Sequence, residues 1–445
     1  MKTLMELYNK VQNPLVDNKL MGDLLNAYRQ GDSFYKKVQE INAIKSNSTV
    51  NQSDKVDLHL YLINRWIKAF SGAPAEHIKN MLEMGNEGYD KLQAYLKTVG
   101  KITTVEQYNN IFGHQGERNE LQVLAVNYFY SPPTFWTEYL DSHVIDAKQY
   151  DQDEVNHRLY INCDNADIYN IANKFIIKCT RDELKFHFKF DQATDRADKM
   201  VIYSSTENLL KYYNMLEEIG KENPEIIKRC GKPAALTGNI NGWIGVGDEP
   251  KTNDSYTDIR CNIINDSIRK QLAASVLKNI GREKTVDGKI VRFNDVLVGT
   301  MANAAVDYLN GINIKQLDNP KNKASLIEHL RGSFITRALG AYSNDANWAI
   351  DTDSGVVFKG KIEELQIPTS TNTHLTIDKP IFDKGFKNMA AEFQGSTVFA
   401  DKLRMEIETQ MLSKKLGNGK FCFDAGTKEK FEALDNKIAA LTPAP

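Results

Sequence analysis

Between Leu184 and Tyr203 the chain reads LKFHFKFDQATDRADKMVIY. Lys185, His187 and Lys189 stand at alternate positions, and Arg196, Asp198 and Lys199 follow closely. Two lysines with a histidine between them repel one another, so they need either solvent or an anion. A lysine crowded by other cations loses its proton more easily and becomes usable as a base near neutral pH. A histidine beside it can serve as general acid. The anion that suits such a set is a phosphate monoester, with about −1.5 to −2 charge near pH 7. Holding it takes two or three cationic or N–H donors, with an arginine fork preferred. Lys185, Arg196, Lys199, Lys232 and Arg260 are the candidate clamp, His187 the candidate acid, and Lys189 or Lys185 the base. Asp198, Tyr203 and Thr237 are expected in supporting positions. A base, an acid and a phosphate clamp point to β-elimination of phosphate from a phosphoserine or phosphothreonine. Hydrolysis would instead call for a positioned water, a metal or a nucleophile, and the sequence has neither a C-x5-R loop nor a paired-Asp metal cluster. The same stretch also fits a solvated, charged edge strand, a common defence of sheets against aggregation.

The elements that position these residues follow from pattern. Alternation makes Leu184 to Phe190 a strand, with Phe186, Phe188 and Phe190 facing a core and the cations facing away. Arg158 to Cys163 (RLYINC) reads as a short strand, and Asp164 or Asn165 caps a helix running to about Lys178. Met200 to Ser204 is a further strand, and a helix from Thr206 or Glu207 stops at Asn223-Pro224. This β-α-β-β-α order predicts helices layered on a sheet, an α+β fold. Gly231 to Pro250 (GKPAALTGNINGWIGVGDEP) holds five glycines and reads as a long loop whose backbone can approach a ligand. It is neither a GxGxxG nor a P-loop. A helix begins near Ser255 or Thr257 with Asp258 and Arg260 in its first turns, where an anion is favoured.

Residues 1 to about 150 read as a helical N-terminal region. The polar break Ser46 to Asp54 supplies a cap at Ser53 or Asp54, and Val56 to Phe70 reads as a buried helix. Helices are also expected over 75–99, Asn294 to Tyr308, Ser325 to Ala341, Phe386 to Lys414 and Lys428 to Leu441. Leu121 to Tyr130 reads as a strand or a buried helix. Short strands are expected at Gly355 to Lys361 and His374 to Ile377. The expected domains are 1–150, helical; 151–342, α+β with a central twisted sheet; and 343–445, a mixed C-terminal extension.

Bulk composition narrows the classes. With 56 basic and 58 acidic residues the formal charge is −2, which argues against a general nucleic-acid binder. No apolar run approaches the roughly 18 residues a bilayer span requires, and the first residues lack a signal-like apolar stretch. Cys163, Cys179, Cys230, Cys261 and Cys422 are scattered and odd in number, so neither a disulfide framework nor a zinc site is expected. His59, His77, His114 and His143 stand singly, without metal spacing. No metal or cofactor is expected.

Six segments in order carry a resemblance: RLYINC, LKFHFKF, DRADKMVIY, GKPAALTGNINGWIGVGDEP, SYTDIRC and VDYLNGINIKQLDNP. Together they resemble the HopA family of bacterial type III effectors, over roughly residues 155 to 330. That family is similar to phosphothreonine lyases, which use a Lys base, a His acid and a cationic pocket, and to lyase subunits of lanthipeptide synthesis. The resemblance implies Lys189 as the strand lysine, His187 as the histidine two before it, Asp198 before the second strand and Arg260 at the helix start. The chain departs from the pattern where many members carry two arginines; here Arg196 is followed by Ala197. The resemblance implies a phosphorylated protein or peptide as substrate. It also implies either secretion into a host cell as an effector or, for a peptide-modifying lyase, the bacterial cytoplasm. Two other functions fit the same residues: a non-catalytic effector that binds a host protein, and another enzyme using the cationic pocket.

Overall fold

The computed structural model describes residues 1–29, 33–45, 49–70, 155–191, 195–252, 254–277, 397–414 and 420–441, with short strands at 137–140, 283–286, 289–292, 348–351 and 356–359 and scattered single residues. The fold is α+β. The expected segment Leu121 to Tyr130, the helices at Asn294 to Tyr308 and Ser325 to Ala341, and the strand at His374 to Ile377 lie outside the described residues, as does most of 75–99. So do His77, His114, His143 and the side chain of His59.

The chain forms two compact units. The first comprises Met1–Pro14, Gln39–Tyr256 and Lys420–Pro445; the second comprises Leu15–Val38 and Thr257–Gly419. In the second unit, helix α2 (Asn18–Arg29) packs against helix α9 (Thr397–Ser413), where Arg404 donates to Leu15 O at 2.6 Å.

The first unit is built on an antiparallel sheet. Five strands, β2 (His157–Ile161), β3 (His187–Phe190), β4 (Met200–Ser204), β5 (Gly238–Asn239) and β6 (Ile244–Asp248), are joined at one edge by β1 (Thr137–Leu140). Their order is β1-β3-β4-β2-β6-β5, with every neighbouring pair antiparallel. The alternation seen in sequence sets the two faces. Phe186, Phe188, Phe190, Leu159, Ile161, Met200, Ile202, Ile244 and Val246 are buried in one core with the helices α5 (Ile168–Arg181) and α6 (Thr206–Glu222). Phe175 of α5 meets Phe188 edge-on at 6.2 Å, and Tyr169 meets Phe190 at 5.0 Å. Burial of such aromatics is the dominant favourable term here, roughly 25 cal/mol per Å² of apolar surface.

Local signals set the boundaries. Helix α4 (Gln52–Phe70) is capped by Asn51, whose side chain accepts from Ser53 N and Asp54 N, rather than by the expected Ser53 or Asp54. Ser205 caps α6 by accepting from Asn208 N. Pro224 ends α6 and opens the short helix α7 (Pro224–Arg229) at its first position, where the missing N–H costs nothing. Asp164 does not cap α5: its carboxylate accepts from Ala166 N in the turn before it, and the helix starts at Ile168.

The largest departure from the sequence reading is Gly231 to Pro250. It is not an open ligand loop. It contains β5 and β6, and all five residues of β6 are buried. Gly247 has no room for a side chain, since a Cβ there would lie 2.5 Å from the ring of Tyr256. At Gly245 a Cβ would lie 2.8 Å from Pro233 Cβ. These glycines admit neighbouring protein rather than a ligand.

The C-terminal segment closes the unit. Asp435 of helix α10 (Thr427–Leu441) accepts from Leu4 N and Met5 N at 2.9 and 2.8 Å, satisfying free donors at the start of helix α1 (Leu4–Lys10). No described helix is long and apolar enough to cross a membrane.

Candidate functional site

The face of the sheet opposite the aromatic core carries the polar residues. Register builds it in two rows. Arg158 on β2 pairs with Tyr203 on β4 and with Gly247 on β6. Tyr160 pairs with Val201 and with Gly245, and Val201 pairs with Lys189 on β3. Side chains of directly paired residues share a face, so Lys189, Val201 and Tyr160 run across the sheet beside Tyr203 and Arg158. His187 joins the second row: its ring stacks on Tyr203 with centroids 4.2 Å apart.

Strand β3 is delivered to this position by the end of α5. Glu183 takes a left-handed conformation, φ 54°, and Leu184 N bonds back to Cys179 O at 2.8 Å, closing a Schellman-type stop. The Tyr212 hydroxyl then donates to Lys185 O and fixes the strand entry. Alternation does the rest, burying the phenylalanines and leaving Lys185 exposed and His187 and Lys189 half-buried.

Tyr203 is the centre of the arrangement. Besides His187, its ring receives Lys189 Nζ at 5.2 Å and Arg158 Cζ at 5.1 Å from the centroid. Cations over a phenol face are attracted by the ring quadrupole, by roughly 0.5–1 kcal/mol at exposed sites and more when desolvated. Arg158 is also forked onto the carboxylate of Glu249 through Nε and Nη2. Burial works against its charge, and the Tyr160 and Glu249 side chains outweigh that, so its pKa is raised. Tyr160 is buried, and its ring lies 5.6 Å from that of Tyr256, whose hydroxyl donates to Leu236 O at 2.9 Å. Burial pushes the Tyr160 phenol well above its ordinary pKa, and the carboxylates of Glu249 and Asp198 add to this.

Of the residues singled out in the sequence, the structure brings His187, Lys189 and Tyr203 together. Arg196 is held by Asp198 in a two-pronged pair at 2.9 and 2.8 Å. Lys199 is buried just before β4, and burial lowers its pKa against the opposing pull of Asp191 and Asp195. Lys232 is exposed, and its carbonyl accepts from Asn162. Thr237 is buried with its hydroxyl donating to Ala234 O at 2.7 Å. Arg260 is buried in helix α8 (Tyr256–Leu277), at a position that belongs to the second unit. Arg158, Tyr160, Glu249 and Tyr256 were not singled out. The only trace of Arg158 and Tyr160 in sequence is that they share one side of the strand RLYINC; Glu249 lies 91 residues further on.

A second polar chain runs through the first unit. His157 Nδ1 meets Asp248 Oδ1 at 2.6 Å, and His157 Nε2 meets Thr206 Oγ1 at 3.0 Å. The order matches a hydroxyl–imidazole–carboxylate relay, yet each end is occupied by the fold. Thr206 Oγ1 is also 3.0 Å from Asn156 Oδ1, and Asp248 Oδ2 accepts from Asp424 N and Thr427 Oγ1, both at 2.6 Å. This network fastens the C-terminal segment to the sheet. Among the described residues, no group of three His, Cys, Asp or Glu side chains is placed to hold a metal ion.

No known family, curated protein or solved structure matches this chain.

Proposed function

We propose that the chain is a phosphoserine or phosphothreonine lyase-like bacterial effector whose site is the polar face around Tyr203. The observation that carries this reading is the placement of Lys189 and His187 over one ring, with Arg158 on the same ring. In this mechanism the neutral Lys189 amine removes the Cα proton of the phosphorylated residue. That electron pair forms the Cα–Cβ double bond, the Cβ–O bond breaks, and His187 gives its proton to the departing phosphate. The cations on this face stabilise the charge that grows on the leaving oxygen. The substrate is a phosphorylated protein or peptide, and the resemblance to type III effectors makes a host cell the place of action. The test is to incubate the protein with phosphothreonine peptides and weigh the products. Loss of phosphoric acid, leaving a dehydrated residue, is expected. A product that keeps its hydroxyl, or no product, overturns the lyase reading.

The second reading is a non-catalytic partner-binding effector. It draws on the pairing of Arg196 with Asp198 and of Arg158 with Glu249, which neutralises two guanidinium groups that a phosphate clamp would use. It expects Lys189→Ala to leave biological activity intact.

A further inference from the structure

The geometry points to Arg158 and Tyr160 as an oxyanion subsite for a phosphate monoester, occupied in the ligand-free chain by the carboxylate of Glu249. The ligand's identity rests on the lyase reading above; the competition between Glu249 and an external oxyanion does not.

Glu249 presents two oxygens to Nε and Nη2 of Arg158, the same planar pair of donors that takes two oxygens of a phosphate. The pair opens to solvent on one side, with 13% and 19% of the two side chains exposed. Glu249 follows directly on strand β6, and Lys251 and Thr252 beyond it are exposed. Withdrawal of one side chain therefore clears Arg158 without unpairing the sheet. Tyr160 supplies the second, independent observation. Its phenol is 2% exposed and has no hydrogen-bond partner among the described residues. A buried hydroxyl left unpaired is unusual. The Tyr160 phenol interacts electrostatically with Arg158, Glu249, Asp198 and Tyr203. Both oxygens of Glu249 lie on the guanidinium, and the Tyr160 hydroxyl donates a hydrogen bond to neither. A phosphate has a third oxygen, which can take the phenol's proton as a hydrogen bond while two others hold Arg158. His187 and Lys189 stand on β3 and Arg158 on β2, the two strands that flank β4 and its Tyr203, so the subsite and the proposed acid–base pair lie on either side of one strand on one sheet face.

The test uses the full chain and inorganic phosphate as probe, followed by thermal unfolding and by the Arg158 Nε–H resonance. Glu249→Gln is expected to tighten phosphate binding about tenfold or more by removing a charged competitor. Tyr160→Phe in that background is expected to lose most of the gain, and Arg158→Lys all of it. Phosphate binding that is no tighter in a folded Glu249→Gln than in the parent overturns the proposal, as does a gain that survives Arg158→Lys. If Glu249→Gln does not fold, Tyr160→Phe alone decides: equal protection by phosphate with and without the hydroxyl overturns it. Phosphate binding with no elimination of phosphopeptides sinks the lyase reading and leaves the subsite standing. Elimination unchanged by Arg158→Lys sinks the subsite and leaves the lyase reading.

Discussion

His187 lies nearly flat on Tyr203, with ring centroids 4.2 Å apart and planes 25° from parallel. The stack fixes the plane of the imidazole, and the same phenol carries Lys189 Nζ at 5.2 Å from its centroid. One ring therefore sets the spacing of a histidine and a lysine that follow each other at alternate strand positions. In a general acid–base pair that spacing decides whether both groups can reach one substrate.

Substitutions at these positions separate reaction from support. His187→Asn and Lys189→Ala are each expected to lower phosphopeptide elimination by about 10²–10⁴-fold, the usual worth of a positioned acid or base. Both side chains are half-buried at a strand surface, so thermal melting is expected to change little. Tyr203→Phe keeps the ring and is expected to retain activity within a few-fold, whereas Tyr203→Leu removes the platform and is expected to lower it. Product mass against time measures all four. Biological activity that survives Lys189→Ala would assign the protein to the non-catalytic reading, whereas elimination that survives it would move the base to Lys185.

The His157–Asp248 network predicts a stability effect away from that face. Asp248 accepts from Asp424 N and Thr427 Oγ1 and meets His157 Nδ1, all at 2.6 Å. Both side chains are almost fully buried, at 3% and 5% exposure. Breaking a buried pair by removing one partner costs about 3–5 kcal/mol. Asp248→Ala is therefore expected to lower urea stability by that order and to expose the segment from Lys420 onward to proteolysis. Thr427→Val removes one of the three partners and is expected to cost less, about 1 kcal/mol.

What the sequence made legible was local. The alternation from Lys185 to Phe190 placed both faces of β3, and the run Met200 to Ser204 was a strand as read. The pairing of His187 and Lys189 on one face followed from a period of two. What escaped was set by partners distant in the chain. Arg158 gains its meaning from Tyr203 across one strand pair and from Glu249 across another, 45 and 91 residues away. The glycines of the segment 231–250 were read as room for a ligand, but Gly247 makes room for Tyr256. Composition reveals that a side chain is missing, while only the fold reveals what fills the space.

The close packing at these glycines is testable by substitution. Gly247→Ala would bring a Cβ to 2.5 Å from Tyr256, and Gly238→Ala to 2.6 Å from Cys422 Sγ. Overpacking of this kind typically costs about 1–3 kcal/mol. Gly22, inside helix α2, has nothing within 4 Å of where a Cβ would stand. Gly22→Ala is expected to stabilise by roughly 0.5–1 kcal/mol, the ordinary helix penalty of glycine removed. Chemical denaturation of the three variants should give opposite signs, and a Gly247→Ala protein as stable as the parent would reopen the ligand-loop reading.

Alkaline pH is expected to unfold the protein through its buried thiols and phenols. Burial pushes the Cys230 thiol up to about 12 and raises Cys163 and Cys261 as well. It raises the phenols of Tyr160 and Tyr213 as well. Each of these groups gives up its proton more readily in the unfolded chain than in the folded one. The folded state then holds more protons, so stability falls as pH rises above about 9 for the thiols and about 10 for the phenols. Lys199 works in the opposite sense. Burial lowers its pKa, so the unfolded chain binds its proton more tightly, and stability rises with pH up to its ordinary value of 10.5. Burial lowers Lys55 as well, and two lysines offset only two of the five groups. Between pH 9 and 11 the net slope is therefore downward, and each thiol removed should make it shallower by up to about 1.4 kcal/mol per pH unit. Urea titrations of the parent and of Cys163→Ala across that range measure the difference. Parallel slopes would mean that Cys163 ionises as easily in the folded chain as in the unfolded one.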